Sequence, residues 1–95
     1  MNIKPSGELG KKLKSIRVSE GISQSVLSDL TGISISTIKK YEAGIIEPGG
    51  VTLRRFTTHQ SFKKYTLWLM SDDISETAGQ VAPSLNFYEG DTNEH

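Results

Sequence analysis

Residues 23–44 read SQSVLSDLTGISISTIKKYEAG, and this stretch predicts the centre of the fold. Ser23 and Ser34 each precede a short run whose apolar residues recur at helical spacing, as expected of helix N-caps. Gly32 separates the two runs, and Gly44 ends the second run, where a left-handed residue commonly closes a helix. The stretch therefore predicts two short helices joined by a tight turn, which is the spacing of a helix-turn-helix motif.

The apolar residues of this stretch predict how the two helices pack. The side chains expected to hold them on each other and on a preceding helix are Leu27, Ile33, Ile38 and Tyr41. Val26 and Leu30 are also expected to point inward from the first helix of the motif. Ser28 is small, as a close crossing of helices requires. The motif is therefore expected to supply much of a small helical core.

A helix before the motif is predicted from residues 6–21, with Ser6 as its cap and Gly21 at its end. Its apolar stripe consists of Leu9, Leu13 and Ile16. The lysines off that stripe are expected to be solvated; they are Lys11, Lys12 and Lys14.

Two further helices are predicted after the motif. A turn-like stretch at residues 45–50 leads to a helix at about residues 51–59 that buries Leu53 and Phe56. A fifth helix is expected to be capped by Ser61. Its inward side chains are predicted to be Phe62, Tyr65, Thr66, Leu69 and Met70, with Leu67 and Trp68 off that stripe. The fold class is thus all-α: five short helices with a central helix-turn-helix, followed by an extended C-terminal arm or short β-strand at residues 79–88.

The charged residues are strongly segregated along the chain, although 11 basic and 11 acidic residues cancel overall. Residues 1–64 hold all eleven Lys and Arg with five acids, a net charge of +6, whereas residues 65–95 hold six acids and no base, a net charge of −6. A basic body with an acidic end is typical of a surface that binds a polyanion.

Several function classes are excluded or disfavoured by composition. No cysteine is present, which excludes disulfides and thiolate metal sites and favours a reducing compartment. No apolar run is long enough for a membrane span and no signal peptide is recognisable, so a cytoplasmic location is expected. His59 and His95 lie far apart and have no metal-ligand or triad spacing. We therefore expect neither an enzyme nor a metal or other cofactor.

The motif, with residues 9–17 before it, resembles the Cro/repressor (XRE) class of helix-turn-helix proteins. In the second half, KYTLWLM at residues 64–70 and GQVAPSL at residues 79–85 are similar to the C immunity repressors of peduovirus-type temperate phages. This resemblance implies a short repressor that blocks the early lytic promoter during lysogeny. It also implies a homodimer on double-stranded operator DNA, and leaves room for an antirepressor protein as a further partner.

The resemblance also implies which residues contact DNA, since the second helix of such a motif enters the major groove. Carried over by position, the base-contacting residues are Ile35, Ser36, Thr37 and Lys40, with Lys39 nearby and with Gln24 and Ser34 on phosphates. The class often has Gln at the first two of these positions; here Ile35 offers apolar contact to a thymine methyl and Ser36 a weakly selective hydroxyl. Arg17 and Glu42 occupy the positions of an ion pair that we interpret as scaffold.

Residues beyond the predicted core are the candidates for dimerisation: Trp68, Leu69, Val81, Leu85, Phe87 and Tyr88. Residues 1–71 are accordingly expected to form the DNA-binding domain, and residues 72–95 a dimerisation arm with a disordered acidic tail. Two alternatives stay open: an antitoxin whose acidic tail wraps a toxin, and a helical adaptor that does not bind DNA. Arg54 and Arg55 are equally compatible with phosphate contact and with simple exposure.

Overall fold

Five α-helices form the main regular structure of residues 7–84, the part of the chain that the computed structural model describes. The helices are α1 (Glu8–Ser19), α2 (Gln24–Thr31), α3 (Ile35–Glu42), α4 (Gly50–Thr57) and α5 (Thr66–Ser71). One-turn 3₁₀ helices at Lys63–Tyr65 and Glu76–Ala78 flank α5, and an isolated antiparallel bridge joins Ser75 to Gln80. The predicted all-α class with a central helix-turn-helix is confirmed.

The caps of the central motif form as the sequence predicts. The Ser23 hydroxyl accepts a hydrogen bond from the Val26 amide at 3.1 Å, and the Ser34 hydroxyl accepts one from the Thr37 amide at 3.2 Å. Gly32 adopts φ 77° where α2 ends, a left-handed conformation that disfavours any residue with a Cβ atom. The two serine caps thus set where α2 and α3 begin, and Gly32 sets where α2 ends.

The predicted cap of the fifth helix is wrong. Ser61 does not begin a helix; its amide donates to His59 Nδ1 at 3.0 Å. The amides of Phe62 and Lys63 both donate to the His59 carbonyl, so a tight turn occupies this segment and α5 starts only at Thr66. Ser6, the predicted cap of the first helix, lies outside the described residues.

The core joins the motif to the later helices in one cluster. Its buried side chains are Leu13, Ile16, Leu27, Ile33, Ile38, Tyr41, Phe56, Phe62, Tyr65 and Leu69. The rings of Phe56 and Phe62 stack with centroids 4.7 Å apart, which joins α4 to the turn before α5. All four packing residues predicted within the motif are buried.

Three predicted inward side chains are instead exposed. Val26 and Leu30 are 41% and 42% exposed, because α2 turns Leu27 and Thr31, four residues apart, toward the core. Met70 is 57% exposed, because consecutive residues of a helix point about 100° apart and the side of α5 that faces the core carries Leu69.

Lys12 is a correction to the expectation of three solvated lysines. It is buried, and its ammonium donates to the carbonyls of Trp68 at 2.9 Å and Leu69 at 3.3 Å, at the C-terminal end of α5. The same ammonium pairs with Asp72 and lies 4.8 Å from the centre of the Trp68 ring. A cation at a helix C-terminus satisfies carbonyls that have no partner within the helix, so Lys12 fastens α5 to α1.

Residues 75–84 lie against the body of the same chain. The Val81 amide donates to the Lys64 carbonyl at 2.8 Å, and the Gln80 side chain accepts from the Leu67 amide at 2.9 Å. The Ser84 amide donates to the Ser19 hydroxyl at 2.9 Å. The start of the predicted arm is therefore attached to its own subunit, while Leu85, Phe87 and Tyr88 lie outside the described residues.

Candidate nucleic-acid interface

The outward face of α3 carries four of the seven predicted DNA-contacting residues. Ile35, Ser36, Lys39 and Lys40 are all exposed, while Ile38 and Tyr41 on the opposite face are buried. The exposed stripe contains two cations and no acid, and its residues are spaced as neighbours on one helical face. A helix that presents such a face has the diameter and the charge for the major groove of DNA.

The start of α3 is rigid because its hydroxyl groups bond to one another. The Ser34 hydroxyl donates to Thr37 Oγ1 at 2.8 Å while accepting from the Thr37 amide. The Ser28 hydroxyl donates to the Ile33 carbonyl at 2.6 Å, which fixes the turn against α2. The half-buried Thr37 is therefore part of the cap, and Ile35 and Ser36 are the side chains that project beyond it.

Arg17 and Glu42 form the predicted scaffold pair in a two-pronged geometry. Arg17 Nε donates to Glu42 Oε2 at 2.8 Å, and Arg17 Nη2 donates to Glu42 Oε1 at 2.9 Å. Arg17 Nη1 also donates to the Ile22 carbonyl at 3.0 Å. Both side chains are nearly buried, with 12% and 5% exposed, so the pair joins α1 to α3 and fixes their geometry.

Gln24, a predicted phosphate contact, is part of the same network. Its amide nitrogen donates to Glu42 Oε1 at 3.0 Å, which holds the half-buried side chain at the first position of α2. An amide nitrogen carries two hydrogens, so one remains available for a ligand. The backbone N–H groups of the first turn of α2 point along the helix axis in the same region.

Gly10 is a positioning residue that the sequence analysis missed. A Cβ atom at this position would lie 1.7 Å from the Tyr41 carbonyl oxygen, so α1 and α3 approach each other more closely than any side chain permits. The residues around Gly10 do not indicate a close helix crossing, because a glycine within a helix is equally compatible with an exposed site. The absence of a side chain at Gly10 therefore determines how closely α3 packs against α1.

Arg55 is also brought to the motif. Its guanidinium donates to the Gly32 carbonyl at 3.3 Å, across the turn between α2 and α3. The sequence does not distinguish Arg55 from Arg54, because the contact with Gly32 depends on how α4 packs against the motif.

The predicted dimerisation residues divide into different environments. Leu69 is 1% exposed and belongs to the core, so it is not available to a partner surface; this prediction is wrong because Leu69 is the buried side chain of α5. Trp68 is half-buried beneath Lys12 and Val81 is 37% exposed. Met70 and Ile74, which the prediction omitted, are 57% and 53% exposed.

Neither a metal site nor a membrane-spanning helix is found within residues 7–84. Among these residues, no three His, Cys, Asp or Glu side chains come together in a way that could hold a metal ion. No helix in the same range is long and apolar enough to cross a membrane.

Fold and exposed face together define a helix-turn-helix protein, and a helix-turn-helix family model matches residues 13–57. The chain is also similar to Repressor protein C of Escherichia phage P2, with 36% identity over 80 residues that cover 84% of this chain and 81% of the relative. The chain therefore belongs to the phage C repressor family of helix-turn-helix proteins. The resemblance drawn from residues 23–44 and from the second half of the sequence is confirmed.

Proposed function

We propose that this chain, a DNA-binding transcriptional repressor by fold and family, binds a specific operator as a homodimer and keeps the early lytic promoter of a temperate phage silent during lysogeny. The observation that carries the proposal is the outward face of α3, with two lysines, one serine and one isoleucine exposed and the opposite face buried. This face is positioned by a rigid cap and by an ion pair to α1.

Base reading is assigned to the first turn of α3. Ile35 would contact a thymine methyl and Ser36 a base edge in the major groove, with Thr37 beside them at the cap. Lys40 would reach a base or the backbone, while Gln24 and Ser34 would contact phosphates. Phosphate contacts set the register of the protein on DNA and base contacts select the sequence.

A homodimer is proposed because α3 covers too few base pairs to select one site in a genome. Two copies related by a two-fold axis would double the site. The described surface best suited to the second copy consists of the exposed Met70, Ile74 and Val81, together with the half-buried Leu67. Ile74 and Val81 flank the Ser75–Gln80 bridge, and Gln80 is bonded to the Leu67 amide. Met70 lies three residues beyond Leu67 on α5, on the neighbouring turn.

Operator binding is tested by footprinting on the DNA upstream of the protein's own gene, followed by affinity measurements on that site and on random DNA. We expect a discrete protected site and an affinity that falls steeply with salt, since several phosphates are neutralised by residues 7–64. Equal affinity for random DNA, or an affinity independent of salt, would contradict the proposal. A second protein that co-purifies in fixed ratio and binds in place of DNA would favour the antitoxin alternative.

Dimerisation is tested by sedimentation of Met70→Glu beside the wild type, with Leu30→Glu as the control. Both residues are exposed, at 57% and 42%, but Leu30 lies on α2, a helix that contributes no residue to the surface proposed for the second copy. We expect Met70→Glu to shift the protein toward monomer and Leu30→Glu to remain dimeric. Dimers of equal strength in both variants would place the interface elsewhere.

A further inference from the structure

Lys12 of α1 bonds to the last turn of α5 at three places. Its ammonium donates to the Trp68 carbonyl at 2.9 Å and to the Leu69 carbonyl at 3.3 Å. It also forms an ion pair with the Asp72 carboxylate, in which the lysine side chain is 11% exposed and the aspartate side chain 73%. A helix of six residues such as α5 has few internal hydrogen bonds, so contacts with other elements decide its orientation. Lys12 is therefore well placed to fix the angle between α5 and α1.

The residues that Lys12 holds border the surface proposed for the second copy. Met70, which is 57% exposed, directly follows Leu69. Ile74, which is 53% exposed, follows Asp72 by two residues, and Asp72 adopts the left-handed conformation that ends α5. A change in the angle at which α5 sits on α1 would therefore move the proposed dimerisation surface as well.

The opposite side of α1 holds the DNA-reading helix α3. Gly10 lies against the Tyr41 carbonyl, and Arg17 is joined to Glu42 by two hydrogen bonds. Gly10 and Arg17 are seven residues apart, which is close to two full helical turns, so they share one face of α1. Lys12 is two residues from Gly10, and two residues turn a helix by about 200°, which places Lys12 on the far side. Helix α1 therefore connects α3 to α5, with one of them attached to each side.

We propose that Lys12 is a positioning residue for DNA binding: by fixing α5 on α1, it sets the distance and the angle between the two copies of α3 in the dimer. This inference rests on the proposed homodimer and names a residue that determines which half-site spacing the dimer accepts. A dimer engages both half-sites only if its two reading helices match the separation of the two major-groove segments. One base pair added between the half-sites moves the second one by about 3.4 Å and turns it by about 35°. A rigid connection through Lys12 disfavours binding to such a shifted site.

The first test measures operator affinity while single base pairs are inserted or deleted between the half-sites. We expect the wild type to prefer one spacing, and Lys12→Met, which keeps the apolar stem and loses the ammonium, to discriminate less against the neighbouring spacings. A hydrogen bond to a charged group is equivalent to roughly 10- to 100-fold in an equilibrium constant, so the preference should shrink by a factor within that range. Lys11→Met is the matched control, because Lys11 precedes Lys12 and is exposed, and it should keep the wild-type preference. Affinity for a single half-site should be equal in all three proteins, since the reading face of α3 is unaltered.

The second test measures the separation of the two α3 helices without DNA. The chain contains no cysteine, so Ser36→Cys provides one spin-label site per subunit on the exposed face of α3. Electron paramagnetic resonance of the dimer then gives the distribution of distances between the two labels. We expect a narrow distribution in the labelled protein and in the same protein with Lys11→Met, and a shifted or broader one with Lys12→Met.

An unchanged spacing preference together with an unchanged label distance in Lys12→Met would overturn the proposal. A Lys12→Met protein that is monomeric, or that has lost affinity for a single half-site, would also overturn it, because Lys12 would then act on dimer stability or on the fold. If Lys12→Met does not fold, Asp72→Asn removes the ion pair at an exposed side chain and should reduce the spacing preference by a smaller factor; an unchanged preference in that variant would overturn the proposal. A wild type that forms no dimer or protects no DNA site would refute the proposed function itself, which is a separate outcome.

Discussion

The helix-turn-helix at residues 23–44 and the C-terminal region at residues 59–84 differ in the hydrogen bonds that stabilise them. The difference is the separation along the chain between donor and acceptor. In the motif, the side-chain bonds of Ser23, Ser28 and Ser34 reach partners three to five residues away. In the C-terminal region, the Trp68 carbonyl accepts from Lys12, 56 residues earlier in the chain, and the Ser84 amide donates to a hydroxyl 65 residues back. The ends of the motif's helices are therefore set locally, whereas the C-terminal region depends on contacts with α1 and α4.

This difference has a functional consequence. A locally defined motif tolerates changes on its exposed face, so base preference can change without loss of the fold. Changes in the C-terminal region act on α1, and α1 positions α3 through Gly10 and Arg17. Substitutions in the two regions should accordingly affect different properties: base choice in the first and stability in the second.

The largest expected effect comes from the core of the C-terminal region. Leu69→Ala removes a side chain that is 1% exposed, and large-to-small changes at such sites cost about 2–5 kcal/mol. Val51→Ala at the start of α4, where the side chain is 73% exposed, should change stability by no more than about 0.5 kcal/mol. Urea unfolding of the two variants gives the comparison, and equal losses would mean that α5 is packed by a different face.

The next effect concerns the contact that joins α1 to the motif. In Gly10→Ala the new methyl group would collide with the Tyr41 backbone carbonyl, and we expect a loss of about 3 kcal/mol, at the upper end of overpacking costs. Gly49→Ala is the control, since a Cβ atom there would have no neighbour within 4 Å. Thermal unfolding measures the stability of both variants. If Gly10→Ala were as stable as Gly49→Ala, α1 and α3 could move apart without loss of stability.

The third effect concerns base reading by the start of α3. Substitution of Ile35 or Ser36 should change preference at single operator positions by about 1–3 kcal/mol, because these side chains project from the start of α3. Gln24→Ala should weaken binding to all operator variants alike, because a phosphate contact positions the protein on DNA without selecting a base. Competition assays on single-base variants separate the two patterns. A uniform loss for both Ile35 and Ser36 would move base reading to other residues.

The smallest expected effect is the alkaline dependence of stability. Burial, and then the hydrogen bond that Tyr65 donates to Glu20 at 2.6 Å, raise the pKa of Tyr65 from 10.0 to about 12. Because the folded state holds this proton more tightly than the unfolded chain, the resulting stabilisation is complete below pH 10 and is lost as the pH rises toward 12. Tyr65→Phe should therefore flatten the dependence of the unfolding free energy on pH between pH 10 and 12, as measured by urea unfolding at a series of pH values. The same slope in wild type and Tyr65→Phe would refute this assignment.

Local signals predicted the motif correctly. Ser23 and Ser34 cap the two helices and Gly32 takes the left-handed conformation, because each of these preferences depends on atoms within a few residues. The buried set of Leu27, Ile33, Ile38 and Tyr41 follows from the helical period once the ends are known. The DNA-contacting assignments on α3 remain predictions, although four of their side chains are exposed on one face.

What the sequence by itself determined about this protein is thus the motif, its caps, the all-α class and the family. Tertiary structure alone decided which of the side chains predicted to point inward stay exposed: Met70 beside the buried Leu69 on α5, and Leu30 beside the buried Leu27 on α2. It also assigned separate surroundings to Lys11, Lys12 and Lys14, all three of which the sequence predicted to be solvated. The physical reason is that a helix of six to twelve residues has several apolar or cationic positions of similar intrinsic preference, and the neighbouring elements select among them by contacts many residues distant.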